Sequence, residues 1–188
     1  PCNKNQQRYI VPDTITTINK EAFRGNQKLK EIIIQKNVKT FKELSFAYCK
    51  QLQTFYYSGK ETTDFSSETI VFTGTETLTK ISVRQDYGIA TKFYDKEIQK
   101  VGTECGTNVW YLLLEDNTYL YIYGNGQMQN FASVENQPWK ESRETISKIR
   151  IDETTSIGDY AFNSFKFSSY PIPQSITALG KYSFSNCD

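Results

Sequence analysis

Apolar residues recur along this chain with a fixed step. Shifted by 23 positions, Val11 falls on Ile34, Ile15 on Val38, Ile18 on Phe41, Phe23 on Phe46, Leu29 on Leu52 and Ile32 on Phe55. Small residues keep the same phase, with Ala22 on Ser45. After a three-residue slip, Phe72, Leu78, Ile81 and Val83 reproduce the spacing of Phe23, Leu29, Ile32 and Ile34. Near the C-terminus the step is 22: Ile157, Ala161 and Phe162 match Leu179, Ser183 and Phe184. Phe167, Tyr170 and Ile172 repeat the 3-then-2 spacing of Leu29, Ile32 and Ile34.

A period of 20–29 residues around an L-x-x-L-x-L core is the signature of leucine-rich repeats. One such repeat cannot bury its apolar side alone, so stacked neighbours share a continuous core. The expected fold is a curved, right-handed leucine-rich-repeat solenoid, with a parallel β-sheet on its concave side and an irregular or short-helical convex side. LKEIII, LQTFYY, LTKISV and ISKIRI are each expected to form one short strand. Side chains alternate along a strand, so Ile32 and Ile34 point inward and Ile33 outward. On the return path a small residue (Ala22, Ser45, Ala161, Ser183) permits close backbone approach, and the Phe after it wedges into the core.

Three regions follow. Residues 1–100 carry about three repeats with a degenerate end, and stretches 60–70 and 85–100 fit the pattern poorly. Residues 101–145 read as a β-rich cap or insert, in which WYLLL and YLYIYG flank a hairpin turn at Glu115-Asp116-Asn117-Thr118. Asn125-Gly126 is a second turn signal. Residues 146–188 resume with about two repeats and stop inside a unit. That stop, and a start at Pro1 with no charged-then-apolar leader, suggest a piece of a longer array.

The segments VPDTITTINKEAFRGNQKLKEIII, TTSIGDYAFNSF and PIPQSITALGKYSFSNC resemble BspA-like leucine-rich repeats. ECGTNVWYLLLEDNTYLYIYGNGQMQNF, with the later QPWKE and ISKIRI, resembles the non-repeat segment that begins such arrays. Asn26 and Phe165 stand where that pattern usually has Cys. The resemblance implies a cell-surface or secreted protein of the kind found in oral and gut bacteria and mucosal protists. It further implies a non-catalytic, adhesin-like module that contacts host cells, extracellular matrix or other microbes. An intracellular repeat scaffold is the alternative, since repeat arrays serve many partners.

Composition narrows the chemistry. Hydrophobic residues, tyrosine included, make up 38% of the chain; exchanging its 13 Tyr for 10 Gly lowers the share further, below the roughly 45–50% of ordinary domains. Aromatics reach 14%, so rings must supply burial that aliphatic residues do not. Histidine is absent, which removes His general bases, Ser-His and Cys-His pairs and imidazole metal sites. No enzyme, cofactor or metal is expected. No run approaches a membrane span, and no N-x-S/T sequon occurs.

Of Cys2, Cys49, Cys105 and Cys187, the second and fourth share a repeat phase several rungs apart, beyond the reach of a bridge. They are expected as buried thiols at the turn, while Cys2 and Cys105 stay undecided. Gly124-x-Gly126-x-x-Gln129 lacks the third glycine and the helix of a dinucleotide loop and reads as a turn.

Two surfaces stand out. With Ile32, Ile34, Phe55, Tyr57, Ile81 and Val83 inward, Ile33, Tyr56 and Ser82 form an outward column continued by Ile10 and flanked by Glu31, Thr54, Lys80 and Arg84. Such an apolar ridge with a polar rim on the concave face suits a protein partner. Residues 1–60 hold 11 Lys and Arg against 4 Asp and Glu, a net +7, and the rest hold 11 against 17, a net −6. Lys36, Lys39 and Lys42 in the turn after the second strand are therefore candidates for sulfated glycans. Phe41, beside them, is in the inward phase, so a nucleic-acid platform is not expected.

Overall fold

A computed structural model describes residues 6–60, 70–88, 90–114, 116–166 and 170–187. Cys2, Glu115, Phe167 and most of stretch 60–70 lie outside the described residues. The chain divides into two compact units, Pro1–Val101 and Gly102–Asp188.

The first unit contains β1 (Arg8–Ile10), β2 (Thr17–Ile18), β3 (Glu31–Ile34), β4 (Thr40–Phe41), β5 (Thr54–Tyr57), β6 (Lys80–Arg84), β7 (Lys92–Phe93) and β8 (Lys96–Val101). Its main sheet has the order β1-β3-β5-β6-β8-β7. β1, β3, β5, β6 and β8 pair in parallel, with Ile10 opposite Ile33, Ile33 opposite Tyr56, and Tyr56 opposite Ser82. β7 is antiparallel to β8, joined by a tight turn at which Tyr94 takes φ 56°. The poorly fitting stretch 85–100 therefore contributes a fifth parallel strand. A short parallel ladder, β2 with β4, runs along the return segments.

The second unit contains β9 (Thr103–Thr107), β10 (Val109–Leu114), β11 (Tyr119–Tyr123), β12 (Gln127–Met128), β13 (Lys148–Asp152), β14 (Ser156–Ile157) and β15 (Ala178–Leu179), in the order β13-β11-β10-β9-β12-β14-β15. β11–β13, β12–β14 and β14–β15 pair in parallel; β9–β10, β10–β11 and β9–β12 pair antiparallel. Both large sheets are thus mixed, which corrects the expected all-parallel arrangement. The cause is local: tight turns between β7 and β8 and between β10 and β11 can only reverse the chain. The expected short helices on the return side are also corrected. Among the described residues there are only 3-10 turns, Val134–Asn136 and Lys140–Ser142, and no helix long and apolar enough to cross a membrane.

Stretch 101–145 joins the repeats directly: β11 extends to β13, and β12 to β14. At its Gly124-x-Gly126 turn, a Cβ on Gly124 would strike the Asn108 carbonyl, and one on Gly126 the Thr107 carbonyl. Close backbone approach, not a cofactor, accounts for these glycines.

Aromatic rings fill the shortfall of aliphatic residues. Phe23 stacks on Phe46 at 4.9 Å and 6°, and Phe46 on Phe72 at 5.7 Å and 22°; Phe55 meets Phe46 and Phe72 edge-on. Each such contact contributes about 0.5–1.5 kcal/mol beyond its area. Leu29, Leu52 and Leu78, with both inward residues of each following strand, are fully buried. Ile15, Ile172 and Leu179 share inward phases but are exposed.

Candidate functional site

The return segments repeat one backbone pattern. Four of them place two residues four apart at positive φ: Glu21 and Gly25, Leu44 and Tyr48, Tyr160 and Ser164, Tyr182 and Asn186. Alternate N–H groups then point to the next repeat. Glu21, Phe23 and Gly25 donate to the carbonyls of Glu43, Ser45 and Ala47 at 2.8–3.2 Å. Leu44, Phe46 and Tyr48 donate to Ile70, Val71 and Thr73, and Tyr160, Phe162 and Ser164 to Lys181, Ser183 and Ser185. The N–H groups between them, such as those of Ala22 and Arg24, close three-residue turns within their own repeat. This ladder satisfies the backbone that the small residue brings close, and it offsets the roughly 1–2 kcal/mol cost of each left-handed non-glycine residue.

A side-chain ladder lies beside it, three residues after each Phe. The Cys49 thiol donates to the Phe23 carbonyl at 3.1 Å, the Thr75 hydroxyl to the Phe46 carbonyl at 2.7 Å, and the Cys187 thiol to the Phe162 carbonyl at 3.2 Å. The expected thiols at the turn are thus present and bonded across repeats; Cys49 is buried as expected, but Cys187 is only half-buried. Cys105 is also a buried free thiol. Burial raises the Cys49 pKa to about 11 and that of Cys105 to about 12.

The second unit closes the front of its ladder. The carbonyls of Asp159, Ala161 and Asn163 occupy the phases of Lys181, Ser183 and Ser185. They receive the Phe131 N–H at 3.1 Å, the Trp139 indole N–H at 2.9 Å and the Gln137 side-chain amide at 3.2 Å. Trp139 stacks on Phe162 as Phe23 stacks on Phe46. In the first unit the matching carbonyls are those of Lys20, Ala22 and Arg24. Among the described residues they accept no hydrogen bond. A recess of about 540 Å³ lined by residues 22–28 lies beside them.

The predicted outward column forms, but the exposed ridge does not. Ile33 is 2% exposed and Tyr56 1%, while Ile10 and Ser82 are half-buried. Lateral neighbours supply part of the cover: Ile33 sits between Ile10 and Tyr56, and Tyr56 between Ile33 and Ser82. On the flanks Thr54 and Lys80 are exposed, and Glu31 is tied to Arg8 at 2.9 Å. Arg84 is no rim residue. It is fully buried and bidentate to Asp86, with Nε and Nη2 each 2.8 Å from a carboxylate oxygen; Lys60 stands 3.6 Å from the same carboxylate. In the second unit Tyr119, Tyr121 and Tyr123 form a comparable buried row, and Asp152 accepts from the Tyr121 hydroxyl at 2.9 Å and from Arg150 at 3.2 Å.

Lys36 is half-buried, and Lys39 and Lys42 are exposed on either side of β4. Their N-terminal neighbour Lys20 is engaged by Glu43 at 2.9 Å, and that hydrogen bond raises its pKa. Among the described residues no group of three or more His, Cys, Asp or Glu is placed to hold a metal.

Repeats of this length with bonded return segments define a leucine-rich-repeat protein. A family model for the BspA type leucine rich repeat region matches residues 2–105 and 129–188 in six copies, and the chain belongs to that family. The match resumes at 129, earlier than Ile146, where the sequence pattern becomes visible. No curated protein and no solved structure matches the chain.

Proposed function

We propose that the chain is a non-catalytic, adhesin-like binding module of a cell-surface or secreted protein, its repeats stacked as a solenoid. Family membership carries this reading: BspA-type repeats are generally protein-binding modules and typically surface-associated. The covered Ile33–Tyr56 column shifts the contact surface to polar groups. Thr54 and Lys80 on the sheet flank would meet host matrix or cell-surface proteins, and Lys36, Lys39 and Lys42 would meet sulfated glycans.

The test is saturable binding of the labelled chain to epithelial cells, matrix proteins and immobilised heparin. Heparin retention should fall steeply with salt, because exposed charges are screened within about 8 Å at physiological ionic strength. Retention unchanged after Lys36, Lys39 and Lys42 all become Gln removes the lysines from the site. Absence of saturable binding to all three surfaces defeats the adhesin reading. An intracellular repeat scaffold is the second reading, favoured by Cys49, Cys105 and Cys187 standing outside any disulfide, since reducing compartments keep thiols free.

A further inference from the structure

The Asn125-Gly126 turn, between β11 and β12, is held through the carbonyl of its glycine. Thr155 donates to that carbonyl twice, from its backbone N–H and from Oγ1, each at 2.9 Å. A Cβ at position 126 would strike the Thr107 carbonyl, so the packing calls for glycine there. Asn125 is exposed. Neither its side-chain amide nor the Gly126 N–H makes a hydrogen bond among the described residues.

That combination has a chemical consequence. The backbone nitrogen that follows an asparagine can attack the carbonyl carbon of its side chain. Three things restrain it: a side chain on the following residue, a hydrogen bond on the nitrogen, and burial of the amide. All three restraints are missing at Asn125. Every other asparagine of the chain precedes a residue with a side chain.

We propose that Asn125 is a site of spontaneous deamidation and isoaspartate formation, with solvent water as the only co-reactant. The Gly126 nitrogen gives up its proton and attacks Asn125 Cγ. The new C–N bond closes a five-membered succinimide as the bond to the side-chain nitrogen breaks, and that nitrogen leaves as ammonia with the proton. Water then opens the ring. Cleavage of the bond from the ring nitrogen to Cγ gives aspartate; cleavage of its bond to the main-chain carbonyl carbon gives isoaspartate. In isoaspartate the main chain runs through the former side chain and gains one carbon, about 1.5 Å of chain. The Thr107 carbonyl leaves no room for that carbon beside Gly126, so the Gly126 carbonyl moves off Thr155. The pairing of Gln127 with Thr107 and with Ser156 loosens in turn. β12 lies between β9 and β14 in its sheet. A slow, one-way change at one exposed turn therefore weakens the join between stretch 101–145 and the repeats that follow it.

Peptide mapping by mass spectrometry of the whole folded chain, held for weeks in mildly alkaline buffer, is the direct test. The peptide containing Asn125 should gain one mass unit and split into aspartate and isoaspartate forms. Conversion should be faster at higher pH, because loss of the Gly126 proton precedes attack. Asn125→Gln, whose side chain would have to close a larger ring, should stay unmodified over the same period. An Asn125 left intact after a period that converts a free peptide of residues 121–129 would overturn the proposal. Amide exchange reads the consequence for the sheet. In the isoaspartate fraction, separated by chromatography, the Thr155 amide should exchange at least several-fold faster than in the unmodified chain. Freshly prepared Asn125→Asp, which adds the charge but no chain atom, should match the wild type. Equal Thr155 rates in the isoaspartate fraction and the unmodified chain, or the same acceleration in Asn125→Asp, would also overturn it.

Discussion

The Trp139 ring lies over that of Phe162 at 5.9 Å and 14°, and its indole N–H donates to the carbonyl of Ala161, the residue before Phe162. One side chain thereby replaces both the stacked Phe and a backbone donor of a preceding repeat. The two roles separate by substitution. Trp139→Phe keeps a ring but leaves a buried carbonyl unbonded, which costs about 1–3 kcal/mol. Trp139→Ala removes both and costs about 3–5 kcal/mol. Urea unfolding of the two variants checks the order; equal losses would mean that the stacked ring contributes nothing, and no loss in Trp139→Phe would mean that the hydrogen bond contributes nothing.

Periodicity made the inward residues legible. Leu29, Ile32 and Ile34 recur at 23 residues as Leu52, Phe55 and Tyr57, and all six are fully buried. The repeat containing Trp139 was not legible, because Gln127 pairs with Ser156, 29 residues on, and the chain reaches it through an antiparallel hairpin. Left-handed residues at Glu21, Leu44, Tyr160 and Tyr182 carry no local signal either. None of these residue types favours positive φ, and the inter-repeat ladder imposes it. The burial of Ile33 and Tyr56 escaped for a different reason: alternation tells which face a side chain takes, not what covers that face.

That burial changes what a substitution at Ile33 should do. On an exposed ridge, Ile33→Ser would reduce binding and leave folding intact. At 2% exposure it both creates a cavity and buries a hydroxyl, and the expected loss is about 2–5 kcal/mol. Thermal unfolding that does not shift would restore the exposed ridge.

Arg84 depends on Asp86 in the same way. A guanidinium with no exposed surface is met by a carboxylate in a two-bonded fork, which compensates its buried charge. Removing the acid with Asp86→Ala is expected to cost on the order of 3 kcal/mol. Replacing both partners with apolar residues of similar volume should cost less than Asp86→Ala alone. A double variant that is weaker than the single one would show that the pair does more than neutralise itself.

Alkaline pH should unfold the protein earlier than its modest net charge suggests. Burial raises the pKa of Cys49 from 9.0 to about 11 and that of Cys105 to about 12. It likewise raises Tyr87, Tyr94 and Tyr170 from 10.0 to about 12, and it raises Tyr57 as well. Between the unfolded and folded values the native state keeps protons that the unfolded chain has released. Fewer protons on the unfolded state mean that stability falls as pH rises. The loss begins near pH 9 through the two thiols, deepens above pH 10 as the tyrosines join, and runs to about pH 12. Below pH 9 these groups are protonated in both states and leave stability unchanged. Cys49→Ala with Cys105→Ala should therefore flatten the decline between pH 9 and 10 while leaving the steeper part above pH 10 in place. Urea midpoints taken every half unit from pH 8 to 11 provide the comparison. If the doubly substituted chain follows the wild-type curve between pH 9 and 10, the thiols are not held protonated by burial, and the place of Cys49 in the inter-repeat ladder must be reconsidered.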